Sequence, residues 1–121
     1  MKQIAPIIMI FALAGCTTMT YPTSQSPAVW EEFGQTQALD GELKMTETGL
    51  MAKAPVVDPG LYQAYSSGYD AGLAVYCNRD PYEMGISGEI YRGICDGINP
   101  SFADDYNEGM EMGNSGFTGD Y

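Results

Sequence analysis

A mainly α fold is what the sequence predicts: a small domain of three or four short helices rich in tyrosine and glycine, clamped by one disulfide. Three observations carry the prediction. Asp58-Pro59, Asp80-Pro81 and Asn99-Pro100 each set a capping side chain in front of a residue suited to the first helical turn. Tyrosine and glycine recur at spacings of three and four from Tyr65 to Gly113. Two cysteines, Cys77 and Cys95, close the two densest blocks of that pattern.

Taken in order, the chain opens with Lys2 and an apolar run from Ile4 to Leu13, interrupted only by Pro6 and ending in Leu13-Ala14-Gly15-Cys16. This order reads as a lipoprotein signal peptide over residues 1–15. The apolar run is about ten residues long where a spanning helix needs roughly 20, so it reads as removable. Cys16 is the expected lipidation site and the first residue of the mature protein. Two or three acyl chains, palmitate among them, supply the more than one lipid signal that stable anchoring requires. Thr17 is not the aspartate that retains lipoproteins in the inner membrane of enteric bacteria. The expected location is therefore the outer membrane of a Gram-negative envelope, facing the periplasm.

Residues 16–27, with their Thr, Ser, Pro and Gln, read as the lipidated cysteine and a flexible tether, long enough to hold the domain a few tens of ångströms from the lipid. The helical envelope domain is expected over residues 28–114 and a frayed terminus over residues 115–121. Ser26-Pro27 starts a first helix with Trp30 and Phe33 as apolar contacts and Gly34 close behind. Good helix formers from Ala38 to Lys53 predict a second helical region despite Gly41 and Gly49. Asp58-Pro59 opens the clearest helix, in which Leu61, Tyr65, Gly68, Gly72 and Tyr76 share one stripe, and Tyr62, Tyr69 and Leu73 the next. Asp80-Pro81 opens a shorter helix to about Glu89, and Asn99-Pro100 opens another carrying Phe102, Tyr106, Gly109, Met110 and Gly113 on one side.

A weak internal repeat runs through these helices: Tyr65-x-x-Gly68, Tyr69-x-x-Gly72, Tyr82-x-x-Gly85 and Tyr106-x-x-Gly109. On a helix such spacing stands each tyrosine beside a notch into which a ring or backbone of another helix can enter. Glycine inside a helix costs about 1 kcal/mol relative to alanine, so this many imply a compensating close approach. Asp70, Glu83, Glu89 and Glu108 interrupt every candidate for a spanning segment.

At these residues the chain resembles a known group. Tyr65-x-x-Gly68-Tyr69-x-x-Gly72-Leu73-x-x-Tyr76-Cys77, then Gly85-x-x-Gly88-x-x-Tyr91-x-Gly93-x-Cys95, then Phe102-x-x-x-Tyr106-x-x-Gly109 is similar to the bacterial lipoprotein family known as domain of unknown function 2799. Trp30-x-x-x-Gly34 with Ala38 and Gly41 resembles that family's first block. Asp96-Gly97 departs from it, since a proline is expected after the second cysteine. The resemblance implies an envelope lipoprotein with a small domain and brings no activity.

Composition narrows the function. The net charge is −11, histidine is absent, and after loss of Lys2 the basic side chains are Lys44, Lys53, Arg79 and Arg92. No basic patch is available for nucleic acid, anionic headgroups repel the chain as a whole, and triads or metal sites built on histidine are excluded. With Cys16 held by lipid, Cys77 and Cys95 remain as one structural pair; their spacing and lack of flanking cations do not suit a redox or metal site. The acidic pairs Asp104 with Glu108 and Asp80 with Glu83 read as solvated helix faces. Met110 reads as a gap-filler in the core, with Met112 beside it and Met84 elsewhere, and Ser87 lacks the spacing of a nucleophile elbow. Most of the nine tyrosines read as core, with Tyr62 and Tyr91 the candidates for an exposed binding surface. The expected function is a non-enzymatic interaction or structural module, needing no cofactor and no metal, with an envelope protein or peptidoglycan as partner. The alternatives are a carboxylate-dependent hydrolase acting on envelope glycans and a copper-binding protein that uses the methionines.

Overall fold

The structure is a computed structural model that describes residues 19–116. Cys16, the signal segment and the end of the expected frayed terminus lie outside the described residues. Five helices follow one another: α1 (Pro27–Leu39), α2 (Glu47–Lys53), α3 (Pro59–Tyr76), α4 (Pro81–Ile86) and α5 (Phe102–Ser115). No strand forms among the described residues.

Local chemistry sets most of the boundaries. Asp58 caps α3 by accepting from the Leu61 amide at 2.8 Å, and Asp80 caps α4 by accepting from the Tyr82 amide at 2.9 Å. Thr46 does the same for α2 through the Gly49 amide at 3.1 Å. Asn99-Pro100 acts one step earlier than expected: the Asn99 side chain accepts from the Ser101 amide at 3.2 Å, forming a turn before α5 starts at Phe102. Gly34 does not end α1, which continues through it to Leu39. The helix expected from Ala38 to Lys53 is broken. Gly41 turns the chain at φ 76°, residues 42–46 are non-helical, and only Glu47–Lys53 is a helix of its own.

Packing explains the glycines. α1 lies on α3 and α4 lies on α5, and each pair runs in the same sense, with Glu31 opposite Gly68 and Gln35 opposite Gly72. A Cβ on Gly34 would stand far inside van der Waals contact distance of the Tyr65 carbonyl oxygen, and one on Gly68 equally far inside that of the Glu31 oxygen. A Cβ on Gly72 would stand 2.5 Å from the Gln35 oxygen. The second pair repeats this contact for contact. Gly85 faces the Tyr106 carbonyl, Gly109 faces the Tyr82 carbonyl, and a Cβ on Gly113 would stand 2.8 Å from the Ile86 oxygen. In both seams the α-hydrogen that replaces a side chain points at a carbonyl of the other helix, the arrangement of weak Cα–H···O contacts. The domain is thus two copies of one unit, a parallel helix pair sealed by three glycines.

Parallel helices need a return segment, and tyrosines hold it in both units. In the first, Tyr69 donates its hydroxyl to the Glu42 carbonyl at 2.6 Å and Tyr62 donates to the Met45 carbonyl at 3.0 Å. Tyr65 accepts from the Met45 amide at 2.9 Å and donates to Gln37 Oε1 at 2.7 Å. As α3 rises from Tyr62 to Tyr69 the segment descends from Met45 to Glu42, antiparallel beside it. In the second unit Tyr106 donates to the Glu89 carbonyl of the segment joining α4 to α5. The non-helical backbone that propensity reads as helix is thus bonded at Glu42 and Met45 by tyrosine hydroxyls in place of the helical ladder.

Each unit has its own core. Trp30, Ala38, Leu50, Val57, Leu61, Tyr65 and Tyr69 fill the first; Met84, Cys95, Phe102 and Tyr106 fill the second, joined by Tyr76 from the end of α3. No helix of the first pair packs on a helix of the second. The Tyr76 ring and the Cys77–Cys95 disulfide make the link, helped by Arg92, whose guanidinium lies 3.7 Å from Glu42. Both cysteines of the expected disulfide are thus bonded to each other, at the junction of the two units.

Candidate functional site

The conspicuous residues of the sequence converge on this junction. Cys77 is the C-cap of α3, and Cys95 sits fully buried in the return segment of the second unit. Tyr91 lies against the disulfide-bearing turn: its hydroxyl donates to Asp96 Oδ1 at 2.5 Å and accepts from the Cys95 amide at 3.0 Å. Its ring packs on Phe102 and Tyr106, with centroids 4.8 and 5.4 Å apart. Burial, reinforced by the bond to Asp96, pushes the Tyr91 phenol up to about 12. Asp96, the departure from the family pattern noted above, therefore has a place: it receives the Tyr91 hydroxyl where a proline was expected.

Beside the junction Arg79 and Glu89 form a two-pronged ion pair, 2.7 Å from Nη1 to Oε1 and 2.6 Å from Nη2 to Oε2. The Arg79 hydrogen bonds hold the Glu89 carboxyl below its usual range, and the same bonds raise the guanidinium. Arg79 also lies 5.5 Å from the centre of the Tyr76 ring, close enough for a cation–π contact. With Asp80, Glu83, Met84 and Ser87 it lines a shallow open depression at the start of α4.

The candidates from the sequence separate when placed. Tyr62 and Tyr91 are half-buried rather than free, and both hydroxyls serve the return segments. Asp80 is spent on capping α4. Asp104 and Glu108 stand on the exposed side of α5. Ser87 Oγ donates to the Met84 carbonyl at 2.9 Å, as a residue closing a helix does. Met110, expected in the core, is 37% exposed, because Gly109 and Gly113 rather than Met110 face α4. Met112 is exposed as well, whereas Met84 is buried in the second core. Among the described residues no three His, Cys, Asp or Glu side chains gather as a metal site requires.

Two features escaped the sequence. Gln37 is 4% exposed and bridges the Tyr65 hydroxyl to Met19 Sδ, which its amide reaches at 2.9 Å. Its position on the stripe of Trp30, Gly34 and Ala38 was the available signal. The second is the segment read as a tether. From Met19 onward it is laid on the domain: the Tyr21 ring sits 5.7 Å from that of Phe33, and Trp30 Nε1 donates to the Ser24 carbonyl at 2.8 Å. Those contacts remove most of the reach that its composition suggests.

Fold and junction together define a class: a small, disulfide-linked, all-helical domain of two glycine-sealed units, its tyrosines used as clamps. The chain belongs to the family described as Protein of unknown function (DUF2799), whose model matches residues 29–111. That span runs from α1 through the seam glycines of α5, apart from Gly113. No curated protein and no solved structure matches the chain.

Proposed function

We propose that the protein is a lipid-anchored lipoprotein of the outer membrane, attached through Cys16 and facing the periplasm, where it serves as a non-enzymatic interaction or structural module. The observation that supports this most is the use made of the polar residues. Tyrosine hydroxyls hold backbone, Asp58 and Asp80 cap helices, Arg79 is locked to Glu89 and the two cysteines are bonded to each other. Such a chain invests its functional groups in a rigid shape, which is what a docking module needs. Its partner is an envelope protein or peptidoglycan.

Two measurements test the reading. Mass spectrometry of the protein recovered from membranes should find a diacylglyceryl group on Cys16, and Cys16→Ser should release the protein or leave it unprocessed. Photoreactive residues at Glu108 and Glu32, on exposed faces of the two units, should trap one protein or a peptidoglycan fragment in living cells. A Cys16 without lipid would overturn the anchor, and no trapped adduct from either unit would overturn the module.

A further inference from the structure

The geometry points to a phospholipid-binding face on this domain: the cleft formed by Tyr21, Pro22, Lys53, Pro55 and Val56, seated on the membrane that the lipid of Cys16 enters. This inference rests on the lipid-anchored reading above and adds the orientation of the domain and the ligand of one site.

Chain length fixes the distance. Two residues, Thr17 and Thr18, separate Cys16 from Met19. Whatever their conformation, the Met19 and Cys16 α-carbons lie within about 11 Å of each other, because a residue spans at most ~3.6 Å. Met19 is fixed by Gln37, and two residues later Tyr21 is fixed by Phe33. The domain therefore rests close to the bilayer, and the surface around Tyr21 is the part held nearest to it. The cleft that Tyr21 and Pro22 line there also includes Thr23, Ala54 and Lys53.

Charge selects the ligand. Lys44 is paired with Asp70, Arg79 with Glu89 and Arg92 with Glu42. Lys53 is the cation that no carboxylate pairs among the described residues, and it stands at the last turn of α2 beside an apolar cleft. Asp58, the nearest acidic residue along the chain beyond the cleft, already accepts from the Leu61 amide. A phospholipid offers the matching chemistry: a phosphate for the ammonium, and a glycerol and first methylenes for Tyr21, Pro22, Pro55 and Val56. Lysine with its stem along apolar surface and tyrosine at the headgroup level are what a bilayer interface favours. One lysine contributes only about 1 kcal/mol at an anionic surface. That suffices here, since the anchor already supplies the proximity and the contact has only to choose an orientation. The acidic residues of α5, Asp104, Asp105, Glu108 and Glu111, belong to the other unit and are repelled by the same surface, which favours poses that turn them toward the periplasm.

The test uses the full lipidated protein in vesicles of phosphatidylethanolamine and phosphatidylglycerol, with a photoreactive residue at Tyr21, Pro55 or Glu108. Lipid adducts are expected from Tyr21 and Pro55 and not from Glu108, and Lys53→Glu should lower the Pro55 yield about five-fold. Equal yields from all three positions, or none from Tyr21 and Pro55, would overturn the inference. So would a protein trapped at Pro55 in cells in place of lipid. The mass of Cys16 in the same sample separates the two failures: without acyl chains the anchor itself is wrong, whereas with them present and no adduct only the orientation is.

Discussion

The Glu31 carbonyl occupies the place where a side chain on Gly68 would be. A methyl group there must push α1 away from α3, because the clashing atom is backbone and cannot swing aside. Gly68→Ala should therefore destabilise the domain by about 2 kcal/mol or more, although alanine is the better helix former by about 1 kcal/mol. Gly109→Ala should do the same to the second unit, where the Tyr82 carbonyl stands in the equivalent place. Gly60 is the control, since a Cβ there meets only Asp58 Oδ1 at 3.4 Å and Gly60→Ala should be neutral or stabilising. Urea denaturation of the three variants decides this; equal midpoints would mean that the seams are not under steric load.

Tyr65 and Tyr62 differ in what their hydroxyls leave behind. Removing the Tyr65 hydroxyl orphans both Gln37 Oε1 and the Met45 amide, and Tyr65 itself is fully buried. Tyr65→Phe should cost about 1–3 kcal/mol, the penalty for unsatisfied buried groups. Tyr62→Phe frees only the Met45 carbonyl at a half-buried site and should cost less. If the two variants unfold at the same denaturant concentration, the return segment is not held in the way described.

Much of this was legible beforehand, for reasons that particular residues show. Asp58-Pro59 and Asp80-Pro81 are local signals, read by the adjoining amides, and both helices begin where they indicate. The stripe of Leu61, Tyr65, Gly68, Gly72 and Tyr76 is buried as its period requires. The stretch from Ala38 to Lys53 misled because its conformation is imposed from a distance, by hydroxyls of α3 that no local propensity reports. The Tyr-x-x-Gly repeat announced close packing, but the reciprocity of Gly34 with Tyr65 and of Gly68 with Glu31 became visible only with both helices placed. Met19 to Ser26 carries the composition of a linker, and a ring contact and an indole bond suffice to hold it.

Alkaline pH should unfold the domain through these same tyrosines. Burial, and then the neighbouring Tyr65, pushes Tyr69 from 10.0 up to about 12, and burial raises Tyr65 and Tyr76 as well. A phenol whose folded value is raised stabilises the fold fully below its unfolded value and loses that contribution as pH rises through the folded one. Stability should thus hold up to pH 10 and fall between pH 10 and 12, with on the order of 2 kcal/mol resting on Tyr69 alone. Denaturation midpoints followed from neutral pH upward, together with phenolate absorbance, check this. Phenolate signal appearing in full near pH 10 while the fold persists would contradict it.

The disulfide should matter unequally to the two units. Cys77 and Cys95 are 18 residues apart in sequence, and the loop-entropy estimate for a bridge of that span is about 3 kcal/mol. The first unit keeps its own core of Trp30, Leu50, Tyr65 and Tyr69 whether or not the bridge is present. In the second, the helix α4 has only 6 residues, and Cys95 is itself part of the core with Phe102 and Met84. Replacing both cysteines by serine should therefore leave α1 and α3 protected from hydrogen exchange while α4 and α5 lose protection first, since stability is distributed in separable parts of a fold. The serine at position 95 also puts a hydroxyl into an apolar core, so reduction of the unmutated protein provides the cleaner version, in which only the bond is lost. Uniform loss of protection across all five helices after reduction would show that the two units fold as one, and that Tyr76 and Arg92 couple them as strongly as the bridge does.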